Sequence, residues 1–268
     1  MKLRDKFWLW AHPEGYFNHN ENEYGFHDES RMTPTECCLY LGISNIFMVP
    51  LQRPVNRRQY NKSFKPMLGV AWECFGADEK PEKLDEIIRE SYDFPNVRGA
   101  VFDDFFVKLK NRRKEGGDLD VASLHKVRER LATEGARPLD MWMVLYTWEF
   151  GKDPDADLVA KPMLDAFGGL IMWTWEEKDV GLIPEKFEIL KKLSPDTRKM
   201  FGCYLYNFGE RKQATAEAVK WQLDFYLEKL RSGEAEGVVL HTNTMADMDF
   251  PAYDAAIEWL DLHGDEEI

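Results

Sequence analysis

Met141-Trp-Met-Val-Leu-Tyr-Thr-Trp148 and Gly169-Leu-Ile-Met-Trp-Thr-Trp175 are two short apolar runs separated by an amphipathic stretch, Asp157 to Phe167. Runs of this length, rich in aromatic and branched side chains, read as buried strands, and the stretch between them has the length and spacing of a helix. A strand, a crossover helix and a second strand make a unit whose strands lie parallel. Working outward, the same alternation predicts eight strands: Phe7 to Ala11, Ile43 to Pro50, Leu68 to Trp72, Gly99 to Phe102, Met141 to Trp148, Gly169 to Trp175, Phe201 to Tyr206 and Gly237 to His241. Helices are expected over Thr33 to Leu41, Pro81 to Tyr92, Ala122 to Glu134, Asp157 to Phe167, Pro184 to Leu193, Thr215 to Leu230 and Pro251 to Leu262, with a fainter one near Arg57 to Lys65.

Eight units in 268 residues average about 33 residues each, the size of one repeat of a (β/α)8 barrel. The alternative is a doubly wound open sheet. No Gly-x-Gly-x-x-Gly follows any strand and no Gly-x-x-x-x-Gly-Lys-Ser/Thr loop occurs, so its usual signatures are missing. The expected fold is therefore α/β: a single (β/α)8 TIM-barrel domain over residues 1–268, with a long first loop (about residues 12–32) and an acidic C-terminal tail from Gly264. Thr33-Pro-Thr-Glu36 combines a cap, a first-turn proline and a capping-box glutamate, and Ile183-Pro184-Glu185 opens another helix in similar style.

The chain is 44% hydrophobic and 31% charged, the balance of a globular protein. At this size folding removes roughly three quarters of the unfolded surface from water, so the core needs no metal or disulfide support. Thirty-five Lys and Arg against 48 Asp and Glu leave a net charge of −13, which repels phosphate backbones and anionic lipid. No apolar run approaches the roughly 20 residues that span a bilayer. Neither nucleic acid nor membrane is expected as a partner. The apolar stretch near the N-terminus ends by His12, too short and aromatic for a signal-peptide core, so the expectation is a cytoplasmic protein, or an exported one already trimmed. Cys37, Cys38, Cys74 and Cys203 show no Cys-x-x-Cys spacing and are expected as buried free thiols.

In such a barrel, chemistry sits at the carboxyl ends of the strands. Three of those ends carry the same dipeptide: Trp72-Glu73, Trp148-Glu149 and Trp175-Glu176. Because strand side chains alternate, Glu73 shares a face with Gly69 and Ala71, Glu149 with Leu145 and Thr147, and Glu176 with Met172 and Thr174. These smaller residues suit a crowded interior, so the three glutamates are expected to converge over the barrel axis, while the tryptophans pack toward the helices or the rim. The same parity puts Asp103 inside with Gly99 and Val101, and Asp104 at the lip. Five carboxylates in one mouth cannot all stay ionised unaided, since two charges about 4 Å apart repel by roughly 4 kcal/mol at an effective dielectric of about 20. Some must keep a proton, or a cation must sit among them. The Trp residues offer faces for sugar rings, and Asn, His and carboxylates suit sugar hydroxyls.

Gly99-Ala-Val-Phe-Asp-Asp-Phe-Phe106 resembles the strand-four signature of several glycoside-hydrolase-like barrel families, in which a Gly-hydrophobic-x-x-Asp-Asp-Tyr/Phe-Phe segment carries active-site carboxylates. The match spans eight residues and points to no single family. The Asp-x-x-Asp-x-Asp-x-Glu run of chitinase-like barrels is absent, as is the Asn-Glu that ends strand four in many retaining barrel glycosidases.

The leading expectation is a carbohydrate-active hydrolase that cleaves glycosidic bonds with a carboxylate pair, taking an oligosaccharide or glycoside and needing no cofactor or metal. Asp104 and Glu176 are the first candidates for the catalytic pair, with Glu149 as a substitute and Asp103 beside them. Glu73, His12, Trp148, Trp175, Tyr206, Asn207, His241 and Asn243 are the expected substrate-binding residues. Two alternatives stay open: a sugar isomerase or epimerase with a divalent metal on Glu149, Glu176, His241 and Asp103, and a non-catalytic carbohydrate-binding barrel. The loop from His12 to Arg31, with His19, His27, Asn18, Asn20, Asn22, Tyr16 and Tyr24, is expected to fold over the mouth. Lys108 to Lys114 reads as a solvated basic loop, or as a subsite for an acidic sugar or sulfate.

Overall fold

The computed structural model describes residues 1–19, 24–26, 28–51 and 53–268. Its centre is a closed parallel barrel in which each strand pairs with its sequence neighbours and the first pairs with the last. The strands are β1 (Phe7–Ala11), β2 (Asn45–Met48), β3 (Gly69–Glu73), β4 (Val97–Phe102), β5 (Asp140–Tyr146), β6 (Gly169–Trp173), β7 (Arg198–Tyr204) and β8 (Gly237–His241). Around them run α1 (Pro34–Leu41), α2 (Arg57–Ser63), α3 (Glu82–Asp93), α4 (Phe105–Lys114), α5 (Val121–Thr133), α6 (Pro154–Asp165), α7 (Ile183–Leu193), α8 (Ala216–Arg231) and α9 (Pro251–His263). This is the (β/α)8 TIM barrel that the sequence implies, with two helices rather than one between β4 and β5. Among the described residues no helix is long and apolar enough to cross a membrane.

Local chemistry fixes several helix starts. Thr33 and Glu36 form the expected capping box and Gly42 ends α1 in the left-handed conformation. The basic stretch Lys108 to Lys114 corrects the loop reading, because it lies within α4. Phe105 and Leu109, four residues apart, are both buried under this helix.

The barrel interior also corrects the sequence reading. Ala71 and Val101 face inward as expected, but on β5 and β6 the inward residues are Trp142, Val144, Tyr146, Ile171 and Trp173. Leu145 and Met172 instead join the layer between sheet and helices. The indoles fit inside because a glycine stands beside each: a Cβ on Gly169 would come 2.2 Å from Trp142, and one on Gly202 would come 1.9 Å from Trp173. Gly169 is the register partner of Trp142 on the neighbouring strand. Parity on these strands is thus set by complementarity across the sheet, and the large ring goes where the neighbour has no side chain. Gly202→Ala is expected to displace Trp173 and lower stability by roughly 1–3 kcal/mol, as overpacking of a filled core does, with a matching change in tryptophan fluorescence on thermal unfolding.

Candidate active site

At the carboxyl end of the barrel lies a cavity of about 280 Å3. Its floor is Trp10, Val144 and Trp173, and its polar groups include His12, Asp103, Asp104, Tyr146, Tyr204 and His241. Tyr16, Phe17 and Tyr24 of the first loop line it as well, so the described part of that loop folds over the mouth. Asn20, Asn22 and His27 of the same loop lie outside the described residues.

Asp103 and Asp104 are neighbours in sequence, and in regular strand geometry their side chains would point to opposite faces. Both nevertheless line the cavity. Asp104 has left-handed backbone torsions (φ 48°, ψ 43°) at the junction of β4 and α4, and this turn brings the second carboxyl back to the side of the first. Aspartate tolerates that region better than most residues, and such conformations concentrate at functional positions.

The two carboxyls have different partners. Lys108 Nζ donates to Asp103 Oδ2 at 2.9 Å and stands 3.8 Å from Glu73 Oε1. Helical side chains lean toward the helix N-terminus, which is how Lys108, one turn into α4, reaches back over the strand end. Asp104 has no such cation. Tyr146 Oη donates to its Oδ1 at 2.6 Å. Burial pushes the pKa of Asp103 above the usual carboxylate range against the pull of Lys108. Asp104 is raised by burial and by the charge of Asp103, with Tyr146 opposing. Burial works to deprotonate Lys108, but Asp103, Glu73 and Asp104 together outweigh it and its pKa rises.

His12 and His241 both line the cavity and touch each other, Nε2 to Nε2 at 3.4 Å. His12 Nδ1 lies 2.7 Å from the carbonyl of Val49, which can only accept, so this nitrogen carries the proton. His12 Nε2 is then a lone pair and His241 Nε2 the donor to it, which leaves His241 Nδ1 as a lone pair, buried and without a partner. Both rings are neutral: burial lowers His12 to about 4 and puts His241 well below the ordinary histidine value.

The remaining expected site residues fall into three groups. Trp175 lines the cavity. Trp148, 40% exposed at the rim, stacks on Tyr146 with ring centroids 4.3 Å apart. Asn243 positions His12, accepting from its backbone N–H at 2.9 Å and donating to the carbonyl of Met32. Tyr206 pins the first loop by donating to the carbonyl of Tyr24. Glu73 accepts from the Phe75 N–H at 2.9 Å and shares Lys108 with Asp103.

Neither Asn207 nor any of the three glutamates expected over the axis lines the cavity. Asn207 pairs with Glu210 outside the cavity. Glu176 is at the rim, ion-paired with Lys178 and packed on Gly209, where a Cβ would come 2.3 Å from its Cγ. Glu149 folds back to accept the Tyr146 N–H at 2.8 Å. The inward turn of Tyr146, Trp173 and Trp175 explains this, because it leaves the following glutamates on the other side of the chain. Glu149, Glu176, His241 and Asp103 therefore do not form the metal-ligand set of the isomerase alternative, and among the described residues no group of three or more His, Cys, Asp or Glu could hold a metal ion. Tyr146, Tyr204 and Lys108 are the functional groups that reading along single strands misses. The i+4 spacing of Asp104 and Lys108 on a helix was the available signal for the last.

Burial raises the Glu149 pKa from 4.5 to about 7, with the Tyr146 N–H opposing. A carboxyl that binds its proton more tightly folded than unfolded contributes stability that is complete below pH 4.5 and lost as pH rises through about 7. Glu149→Gln, which keeps the acceptor, is expected to be more stable than the native chain by about 2 kcal/mol above that range and equal to it in acid, as read by urea unfolding at a series of pH values.

No protein-family model matches the chain, and no curated protein matches it. Solved structures do. Active domain 2 of a thermostable chitinase from Pyrococcus furiosus, a catalytic-site mutant complexed with chito-oligosaccharides, superposes at a TM-score of 0.63 with 10% identity over 98% of this chain and 97% of that one. An alpha-L-arabinofuranosidase from Thermotoga maritima gives 0.58 with 10% identity over 96% and 70%. The PgaB (BpsB) glycoside hydrolase domain from Bordetella bronchiseptica gives 0.54 with 10% identity over 98% and 100%. At this identity the likeness is one of fold. What it shows is the (β/α)8 barrel, a fold these three glycoside hydrolases share with the chain.

Proposed function

We propose that the chain is a hydrolase of glycosidic bonds in which Asp104 supplies the proton to the leaving oxygen. The observation that carries this reading is the pair of adjacent carboxyls brought into one aromatic-walled cavity with unlike partners, an ammonium for Asp103 and a phenol for Asp104. Unlike surroundings of that kind separate the roles of acid and base. Asp104, beside the charge of Asp103 and without a cation of its own, is the carboxyl that retains a proton. Asp103, facing Lys108, is the anion. As the glycosidic C–O bond breaks, its electron pair goes to the leaving oxygen, which takes the Asp104 proton. The positive charge that develops on the ring carbon faces Asp103 until water adds and the acid is restored. Trp10, Trp173 and Trp175 offer apolar faces for the ring, and Trp148 extends that surface at the rim. The similar fold of the three glycoside hydrolases supports this reading without reaching its residues.

The test is release of reducing ends from a panel of oligosaccharides and aryl glycosides, scanned from acid to alkaline pH. Turnover of at least one member is expected. Binding without turnover across the panel would replace this reading with the non-catalytic carbohydrate-binding barrel.

A further inference from the structure

The cavity is walled around one part of its circumference and open over the rest. Phe17 and Tyr24 of the first loop meet Phe208, in the segment after β7, with ring centroids 5.6 and 5.2 Å apart. Phe208 stacks on Trp175 at 5.7 Å, and Trp175 meets Tyr146 at 6.1 Å and Trp148 at 6.4 Å. His241, at the end of β8, packs against Phe208 at 4.9 Å. These rings form a continuous wall from the first loop past β8, β7 and β6 to β5. The first loop is tied to it: Tyr206 donates to the Tyr24 carbonyl, while Asn18 Nδ2 donates to the Ser30 carbonyl at 2.7 Å and Asn18 Oδ1 accepts from the Ser30 N–H at 3.0 Å. On the remaining side, over β2 to β4, the described lining residues are Leu51, Asp103 and Asp104. Leu51, 36% exposed, is the one described lining residue that is exposed, and Asp104 is half-buried beside the buried Asp103.

We infer that the cavity holds one sugar unit, the non-reducing end of a chain, and that the protein removes units from that end rather than cutting within the chain. This inference rests on the glycosidase reading above. A volume of about 280 Å3 falls below the roughly 300–1,000 Å3 of pockets that enclose drug-sized ligands, and it suits a single ring lying on the floor of Trp10 and Trp173. Cleavage within a chain needs room for further units on both sides of the broken bond, so its site must be open at two ends. The aromatic wall closes one of them. Asp104 sets the orientation of what is bound. The leaving oxygen takes the Asp104 proton, so the bond that breaks faces the open side and the unit inside the cavity contributes the anomeric carbon. That unit is the non-reducing end, and the departing chain passes Leu51.

The experiment uses the native chain and a hexasaccharide that the panel shows to be turned over, either free or carrying a benzyl ether on its non-reducing-end ring. Chromatography of early time points is expected to show monosaccharide and pentasaccharide, with shorter chains appearing only later. The ether is expected to lower kcat/KM by at least about a hundredfold, since a packed wall has no room for it. Early di- to tetrasaccharides, or equal turnover of the blocked chain, would overturn the inference and leave the glycosidase reading standing. If only aryl glycosides react, the aryl group should leave directly from the one-unit glycoside and not from the two-unit one, and equal release from both would overturn the inference. If nothing is turned over, the glycosidase reading fails and binding decides this one. Calorimetry with cellohexaose, chitohexaose and xylohexaose should then show a free chain binding at least about tenfold more tightly than its benzylated form. Equal affinity, or no binding by any of them, would sink the inference on its own terms.

Discussion

Replacing Asp104 with asparagine is expected to lower kcat about a thousandfold, within the range that a positioned general acid contributes, while the thermal midpoint stays where it is or rises slightly. Asparagine keeps the size of the side chain and an oxygen that can still accept from Tyr146, so the local geometry at β4 and α4 survives. What it removes is the transferable proton, and with it the possibility of a second buried charge forming beside Asp103. The loss of Asp103–Asp104 repulsion, which now raises the Asp104 pKa, is why stability should not fall. The two measurements together are decisive. A collapse in both activity and thermal midpoint would mean that Asp104 serves the fold, and unchanged kcat on the best substrate of the panel would remove it from the chemistry.

Lys108→Met is expected to be the most damaging single change near the cavity. Methionine keeps much of the aliphatic stem and deletes the ammonium, leaving Asp103 and Glu73 without the cation they share. Breaking a fully buried pair costs about 3–5 kcal/mol, whereas exposed pairs are worth about 1 kcal/mol or less. Lys108 is 31% exposed and Asp103 only 7%, so a loss of about 2 kcal/mol is the appropriate scale. The pH dependence gives the prediction a sign. Lys108 lowers the pKa of both aspartates, so its removal raises them further. The stability deficit should then be largest where the carboxyls are ionised and shrink in acid, where they are protonated in either chain. If Asp104 acts as the acid, the alkaline limb of activity should move upward, because the proton is held to higher pH. A variant as stable as the native chain at neutral pH, with an unmoved alkaline limb, would show that Lys108 neither supports nor tunes the aspartates.

The fold was readable because each unit repeats a local pattern. Alternation of short apolar runs with amphipathic stretches needs no information from elsewhere in the chain, and strand identities held even where ends moved by a few residues. Asp103 could be placed inside the mouth from parity alone, since β4 continues regularly from Gly99 through Val101. Reading failed where the decisive partner lies on another strand. Nothing within Met141 to Trp148 says that Trp142 and Tyr146 point inward; that follows from Gly169 beside Trp142, as the placement of Trp173 follows from Gly202. The error displaced Glu149 and Glu176 and concealed Tyr146.

The sequence by itself determined the eightfold βα architecture, the acidic and aromatic character of the mouth and the presence of Asp103 in it, all of which are consequences of periodicity and composition. The tertiary structure alone decided which side chains share the cavity. The left-handed turn at Asp104 reunites two carboxyls that strand alternation would separate, Lys108 reaches them from a helix, and glycines on adjacent strands choose the inward face of β5 and β6. The physical reason is that local propensity acts over a few residues, whereas close packing and charge compensation act between segments brought together only when the barrel closes.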